Sequence, residues 1–190
     1  MSVIVRFTFL RLLLLVVSGS VIATAHAQSE APAAGQPAAP CSSEDHQAFD
    51  FWVGEWRVTL ADGTHAGDNT ISKIQGGCVV LENWRSATSA YTGTSYNAFN
   101  RQSGQWEQLW LDNQGGRLHL TGQRNGAQMT LASKPVANAE GKAATNRITW
   151  TSNDDGTVRQ RWVVVTEGTD DQVLFDGLYS PVAAPASNTD

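Results

Sequence analysis

From residue 51 onward, apolar and polar residues alternate in short runs, without the three-to-four spacing of a helix. Trp52, Gly54, Trp56, Val58 and Leu60 fall on one side of the first run. Val80, Glu82 and Trp84 share a side of a later run, opposite Val79, Leu81 and Asn83. Ser95, Asn97 and Phe99 then share a side, as do Trp106, Gln108 and Trp110. Toward the C-terminus, Val158, Gln160, Trp162 and Val164 oppose Arg159 and Arg161, and Val173, Phe175, Gly177 and Tyr179 form the last set. A period of two places successive side chains on opposite faces of a strand.

These segments predict strands over 51–60, 67–75, 78–86, 92–100, 105–112, 116–123, 126–133, 145–151, 157–166 and 171–180. The junctions between them are rich in Gly, Asn and Asp, as at Asn125-Gly126 and Asp155-Gly156, where tight hairpins need positive φ. A short helical turn through Glu44-Asp45-His46-Gln47, led by Ser42 or Ser43, is the only helix expected. The fold class is therefore all-β: a single antiparallel up-and-down barrel of about ten strands, whose closure removes exposed edges. A sandwich is the alternative, but no long Greek-key crossover is visible.

The first 27 residues read differently. Arg6 and Arg11 precede an unbroken apolar run, Leu12 to Val17, and Ala25-His26-Ala27 supplies small residues at a cleavage site. This is the pattern of an export signal with Gln28 as the new N-terminus, and the run is short of the roughly 20 residues that span a bilayer. Residues 28–40 form an Ala/Pro-rich linker, 41–180 the barrel domain, and 181–190 a disordered tail. Removing 27 residues from 190 leaves 163, enough for one domain.

The chain has 13 basic and 18 acidic residues, net −5, and loss of Arg6 and Arg11 with the signal leaves −7. An acidic chain without a basic cluster argues against nucleic acid as a partner and against an electrostatic grip on anionic lipid. A periplasmic or secreted location follows, with no stable membrane insertion after cleavage. There the two cysteines, Cys41 and Cys78, are expected to form a disulfide, the alternative being two buried thiols. The bridge would close a loop of about 38 residues, worth roughly 4 kcal/mol. Two cysteines and the scattered His46, His65 and His119 show no metal-ligand spacing, so no metal is expected.

The segment Phe49-Asp50-Phe51-Trp52-Val53-Gly54-Glu55-Trp56 resembles the opening of a bacterial, mostly exported family with a calycin-like (lipocalin- or nitrobindin-like) barrel. The resemblance continues at Gly77-Cys78, Leu81-Glu82-Asn83-Trp84, Trp106 to Gly116, Arg147 to Trp150 and Asp155 to Trp162. It implies a calycin fold in which Gly54 and Trp56 take the place of the lipocalin Gly-x-Trp that closes one barrel end. Nitrobindin-like relatives bind haem through a histidine near the C-terminus. The last strand here has none, so no cofactor is expected; His119 alternates to the side opposite Leu118 and Leu120, as a surface residue would.

With the Trp-bearing faces inward, Glu82, Gln108 and Gln160 enter with them and Asn97 joins from its own strand. An aromatic interior with a few polar groups is the make-up of a small-molecule pocket. The expected ligand-binding residues are Trp84, Glu82, Asn97, Gln108, Trp110, Gln160, Trp162 and Tyr179, and the expected partner is a small hydrophobic or aromatic ligand. Arg147 is a possible cation for a buried Glu82. Leu81, Leu109 and Leu111 compete for the inside of their strands. Two other readings stand beside binding. One is an isomerase or hydrolase using Glu82, although no nucleophile elbow, phosphate loop or metal cluster accompanies it. The other is an envelope interaction module, with Tyr91 and Tyr96 as exposed contacts.

Overall fold

A computed structural model of the chain describes residues 40–182. The expected export signal, the linker apart from Pro40, and the tail beyond Val182 lie outside the described residues. The strands are β1 (Gly54–Leu60), β2 (His65–Ile74), β3 (Val79–Ser86), β4 (Thr92–Asn100), β5 (Gln105–Asp112) and β6 (Arg117–Asn125). They are followed by β7 (Gln128–Ala132), β8 (Val136–Ala137), β9 (Ala143–Ser152), β10 (Val158–Thr166) and β11 (Gln172–Pro181).

Each strand from β1 to β6 pairs antiparallel with the next. The ladder continues from β7 to β9, β10 and β11, and β11 pairs back onto β1. Ten strands thus close into an up-and-down barrel without a free edge. The two-residue β8, which the sequence did not announce, pairs with the start of β9. Asn125 and Gln128 pair across a two-residue loop led by Gly126 at φ 56°, a turn whose twist matches that of the strands it joins.

Residues 51–53 depart from the expected first strand, and the last strand extends one residue beyond expectation, to Pro181. Asp50–Trp52 form a 3-10 turn after the short helix α1 (Glu44–Gln47), closed by Trp52 N–H to Phe49 O and Val53 N–H to Asp50 O. The turn has an apolar cause: it brings Phe49 and Trp52 together, stacked at 4.9 Å and both wholly buried. Phe49 also meets Trp106 and Trp150 edge-on at 5.6 and 5.1 Å. Trp56 Nε1 donates to Trp52 O at 2.8 Å and Trp106 Nε1 to Asp45 O at 2.9 Å, so the N-terminal turns are tied to the strands beneath them.

This cluster plugs the barrel end where β1 begins. Lys73 Nζ contacts both Asp50 carboxylate oxygens at 2.7 and 2.8 Å, and the Cys41–Cys78 disulfide anchors the same segment to the loop before β3. Gly54, at φ 153°, leads the chain into β1, and a Cβ added there would lie 3.4 Å from the Trp56 indole. The opposite end, where β1 runs into β2 and β3 into β4, has no such plug among the described residues.

Candidate functional site: an aromatic cavity with a carboxyl at its floor

The unplugged end opens into a cavity of about 710 Å³. Its mouth is formed by the β1–β2 turn with Leu60, Ala61 and Asp62, by Thr88 and Tyr91 between β3 and β4, and by Val173 and Leu174 at the start of β11. Leu174 is the extra residue of a bulge: Trp162 pairs with Phe175, and the next pair is Val163 with Val173. Such an insertion bends the strand and re-aims its side chains. The inner walls carry Trp84, Trp110, Trp162 and Phe175, and Ile148, Trp150 and Tyr179 lie deeper.

Glycines beside the tryptophans set these walls. A Cβ added at Gly93 would lie 2.0 Å from the Trp110 ring, and one added at Gly67 would lie 2.6 Å from the Trp84 ring. The indoles lie against the bare backbone of the neighbouring strand. That contact leaves the middle of the barrel empty where upright rings would fill it. Trp162 is held by its Nε1, which donates to Asn146 Oδ1 at 2.9 Å, and Trp84 meets Phe175 edge-on at 6.0 Å.

The floor is polar. Asn69, Glu82, Ser95, Asn97 and Gln108 are all buried and contiguous across β2 to β5. Ser95 Oγ donates to Glu82 Oε2 at 2.6 Å, and Asn69 Nδ2 donates to Glu82 Oε1 at 2.8 Å. Asn97 Nδ2 reaches Ser95 Oγ and Val80 O, both at 2.9 Å, and Gln108 Nε2 donates to Asn97 Oδ1 at 2.8 Å. With the Ser95 hydroxyl accepting from Asn97, its proton is directed at Glu82. No ion pair reaches Glu82 among the described residues.

Burial without a cation raises the Glu82 carboxyl from 4.5 to about 7, against the lowering pull of the Ser95 and Asn69 hydrogen bonds. Across the floor the Tyr179 hydroxyl donates to Gln160 Oε1. Burial, and then the neighbouring Glu82 charge, push that phenol well above its ordinary value. Three buried side-chain polar atoms among the described residues have no protein partner: Asn69 Oδ1, Trp52 Nε1 and Trp150 Nε1.

Of the residues singled out in the sequence, Trp84, Glu82, Gln108, Trp110, Gln160, Trp162 and Tyr179 all line this one cavity. Asn97 does not; it stands behind the lining and braces Gln108 and Ser95. Tyr91 departs from the outer contact that the sequence suggests. It lines the mouth and donates to Asp112 Oδ2 at 3.0 Å, because it sits at the turn into β4 and not on an outward strand position, whereas Tyr96 is exposed on the outer wall. Sequence reasoning missed Asn69, although Gly67, Asn69 and Ile71 alternate as an inward set on β2. The inward facing of β5 is resolved for Trp106, Gln108 and Trp110, and Leu111 is exposed.

Arg147 also differs from expectation. It is on the outer wall, where it donates to Asp171 at 2.6 Å, and it leaves Glu82 without a cation. Arg159 holds Asp176 through both Nε and Nη2, at 2.7 and 2.6 Å, and Arg161 approaches the same carboxylate, so these arginines belong to the solvated face. His119 is exposed on the outer side of β6. No group of three or more His, Cys, Asp or Glu able to hold a metal ion occurs among the described residues. The chain matches no protein-family model, and a search of curated proteins found no match.

Proposed function

We propose that this protein is an exported carrier or sensor barrel that binds a small, largely apolar or aromatic molecule between Trp84, Trp110 and Trp162. The observation that carries the reading is the cavity itself: about 710 Å³, walled by indoles, open at one end and polar chiefly at its floor. A volume of this order holds a drug-sized molecule, and a barrel interior that served stability alone would be filled. The plug of Phe49, Trp52 and Trp106 supplies stability at the other end, so the open half is free to serve binding. The apolar run and small residues at 12–27, the disulfide, and the resemblance of the Phe49–Trp56 opening to an exported calycin-like family support the location and the class.

The test is binding of the neutral dye N-phenyl-1-naphthylamine, with native mass spectrometry of the exported chain as the search for a natural cargo. Trp110→Ala should weaken dye binding about tenfold or more, because it removes one wall. Unchanged affinity in that variant, or no dye uptake by the intact chain, would overturn the site. One observation favours a second reading: a buried carboxyl at about 7 is suited to general acid–base work. Turnover lost in Glu82→Gln while dye binding persists is its signature.

A further inference from the structure

The charges around the cavity are one-sided. Its lining includes three acidic residues, Glu82, Asp62 and Asp176, no lysine and no arginine, and His65 at the mouth. Asp176 is neutralised by Arg159 from outside, and His65 already contacts Gly67 O at 3.1 Å and Asp68 Oδ1 at 3.0 Å. Glu82 is left as a buried carboxyl whose two partners are both neutral donors, Asn69 and Ser95. Each carboxylate oxygen has a second lone pair, and Gln108, whose Nε2 donates to Asn97 Oδ1 and reaches Ser95 Oγ, belongs to the same lining and keeps its amide oxygen as an acceptor. A buried carboxylate without a counter-ion is costly, and a cation supplied by a ligand would remove that cost. Indole faces add attraction for the same charge.

We infer that the ligand of this barrel is an organic cation, an amine carrying an aromatic or aliphatic body, whose ammonium group docks on Glu82 and Gln108 while Trp84, Trp110 and Trp162 enclose the rest. The inference rests on the binding reading above and narrows it to one chemical class. It also separates the protein from carriers of fatty acids or other anions, which would need a cation at the floor.

Affinity for such a ligand follows the ionisation of Glu82. With that carboxyl at about 7, amine binding should strengthen about tenfold from pH 6 to pH 8, then level off. The other ionisable groups that face this carboxyl or its cavity are Tyr179 and Tyr91, both raised by burial, with Asp62, Asp176 and His65 toward the mouth. The tyrosines stay protonated across this range. His65 is removed in a His65→Gln control, in which the pH slope should persist.

The experiment displaces N-phenyl-1-naphthylamine from the intact, disulfide-bonded chain with three probes of one size: 2-phenylethylamine, 2-phenylethanol and phenylacetate. The amine should bind at least tenfold more tightly than the alcohol at pH 8, and phenylacetate least. Glu82→Gln should lower amine affinity to that of the alcohol and leave the alcohol within about twofold. Should that variant fail to fold, the pH slope of the intact chain decides. Equal affinity for amine and alcohol, a flat pH profile, or tight binding of phenylacetate overturns the cation class while leaving a binding barrel. Failure of the dye itself to bind overturns the binding reading.

Discussion

Glu82 makes the stability of this barrel depend on pH in the opposite sense to ordinary acid denaturation. In the unfolded chain its carboxyl titrates near 4.5; in the barrel, burial lifts it to about 7. A raised folded-state value means that the folded chain holds the proton more tightly. The contribution is therefore fully present below pH 4.5 and is lost as pH rises through 7. At about 1.4 kcal/mol per tenfold change in proton affinity, the total is about 3 kcal/mol, most of it lost between about pH 5 and 8. The carboxyls held low by hydrogen bonds, Asp62, Asp112, Asp155 and Asp176, lose their contributions only as pH falls through their lowered values, outside this window. Urea unfolding of the ligand-free chain at half-unit steps from about pH 5 to 8 measures the slope. Glu82→Gln removes the titrating group, and the difference between the two profiles isolates it. Whatever constant penalty the substituted amide incurs beside Ser95, the variant's profile should be flatter by about 3 kcal/mol. Parallel profiles would refute the claim that Glu82 is buried without a counter-ion.

Three further outcomes follow from the packing. Gly93→Ala places a methyl 2.0 Å from the Trp110 ring and should cost about 1–3 kcal/mol by overpacking; Trp110→Leu in the same chain should recover most of that in a double-mutant cycle by thermal unfolding, and strict additivity would refute the contact. Reducing the Cys41–Cys78 bridge, which spans 37 positions, should lower unfolding free energy by roughly 4 kcal/mol, read as a shift in the urea midpoint, with no shift if the N-terminal segment is held by packing alone. Phe49→Ala should cost about 3–5 kcal/mol by opening a void in the plug, yet leave dye affinity within about twofold because the open half is built separately; a large affinity loss would show that the two ends are coupled.

Most of the barrel was legible because its strands obey one local rule. On β3, β5 and β10 the tryptophans mark an inward face, and alternation then forces Glu82, Gln108 and Gln160 to follow them inside, however costly a carboxyl is there. That is why seven of the eight residues named from the sequence share one cavity. Three kinds of feature were not legible. Trp52 fits the alternation of a strand, but the sheet gives way to a 3-10 turn because a plugged end buries more aromatic surface than a strand extended into solvent would. The partner of Arg147 is Asp171, 24 positions away, a contact that no local period reports. The emptiness of the cavity depends on Gly67 and Gly93 lying beside Trp84 and Trp110 from neighbouring strands, and that is a matter of register. Register also joins the two halves of the site. The pairing that sets Gly93 opposite Trp84 sets Ser95 opposite Glu82 two residues further on. Strand β4 therefore carries both parts: its pairing with β5 lays Gly93 beside the Trp110 ring, and its pairing with β3 sets Ser95 on the one buried acid, among the described residues, that faces the cavity. A one-residue slip of β4 would turn Gly93 and Ser95 out of the interior together, so in this barrel part of the site's shape and the setting of its charge are carried by one strand.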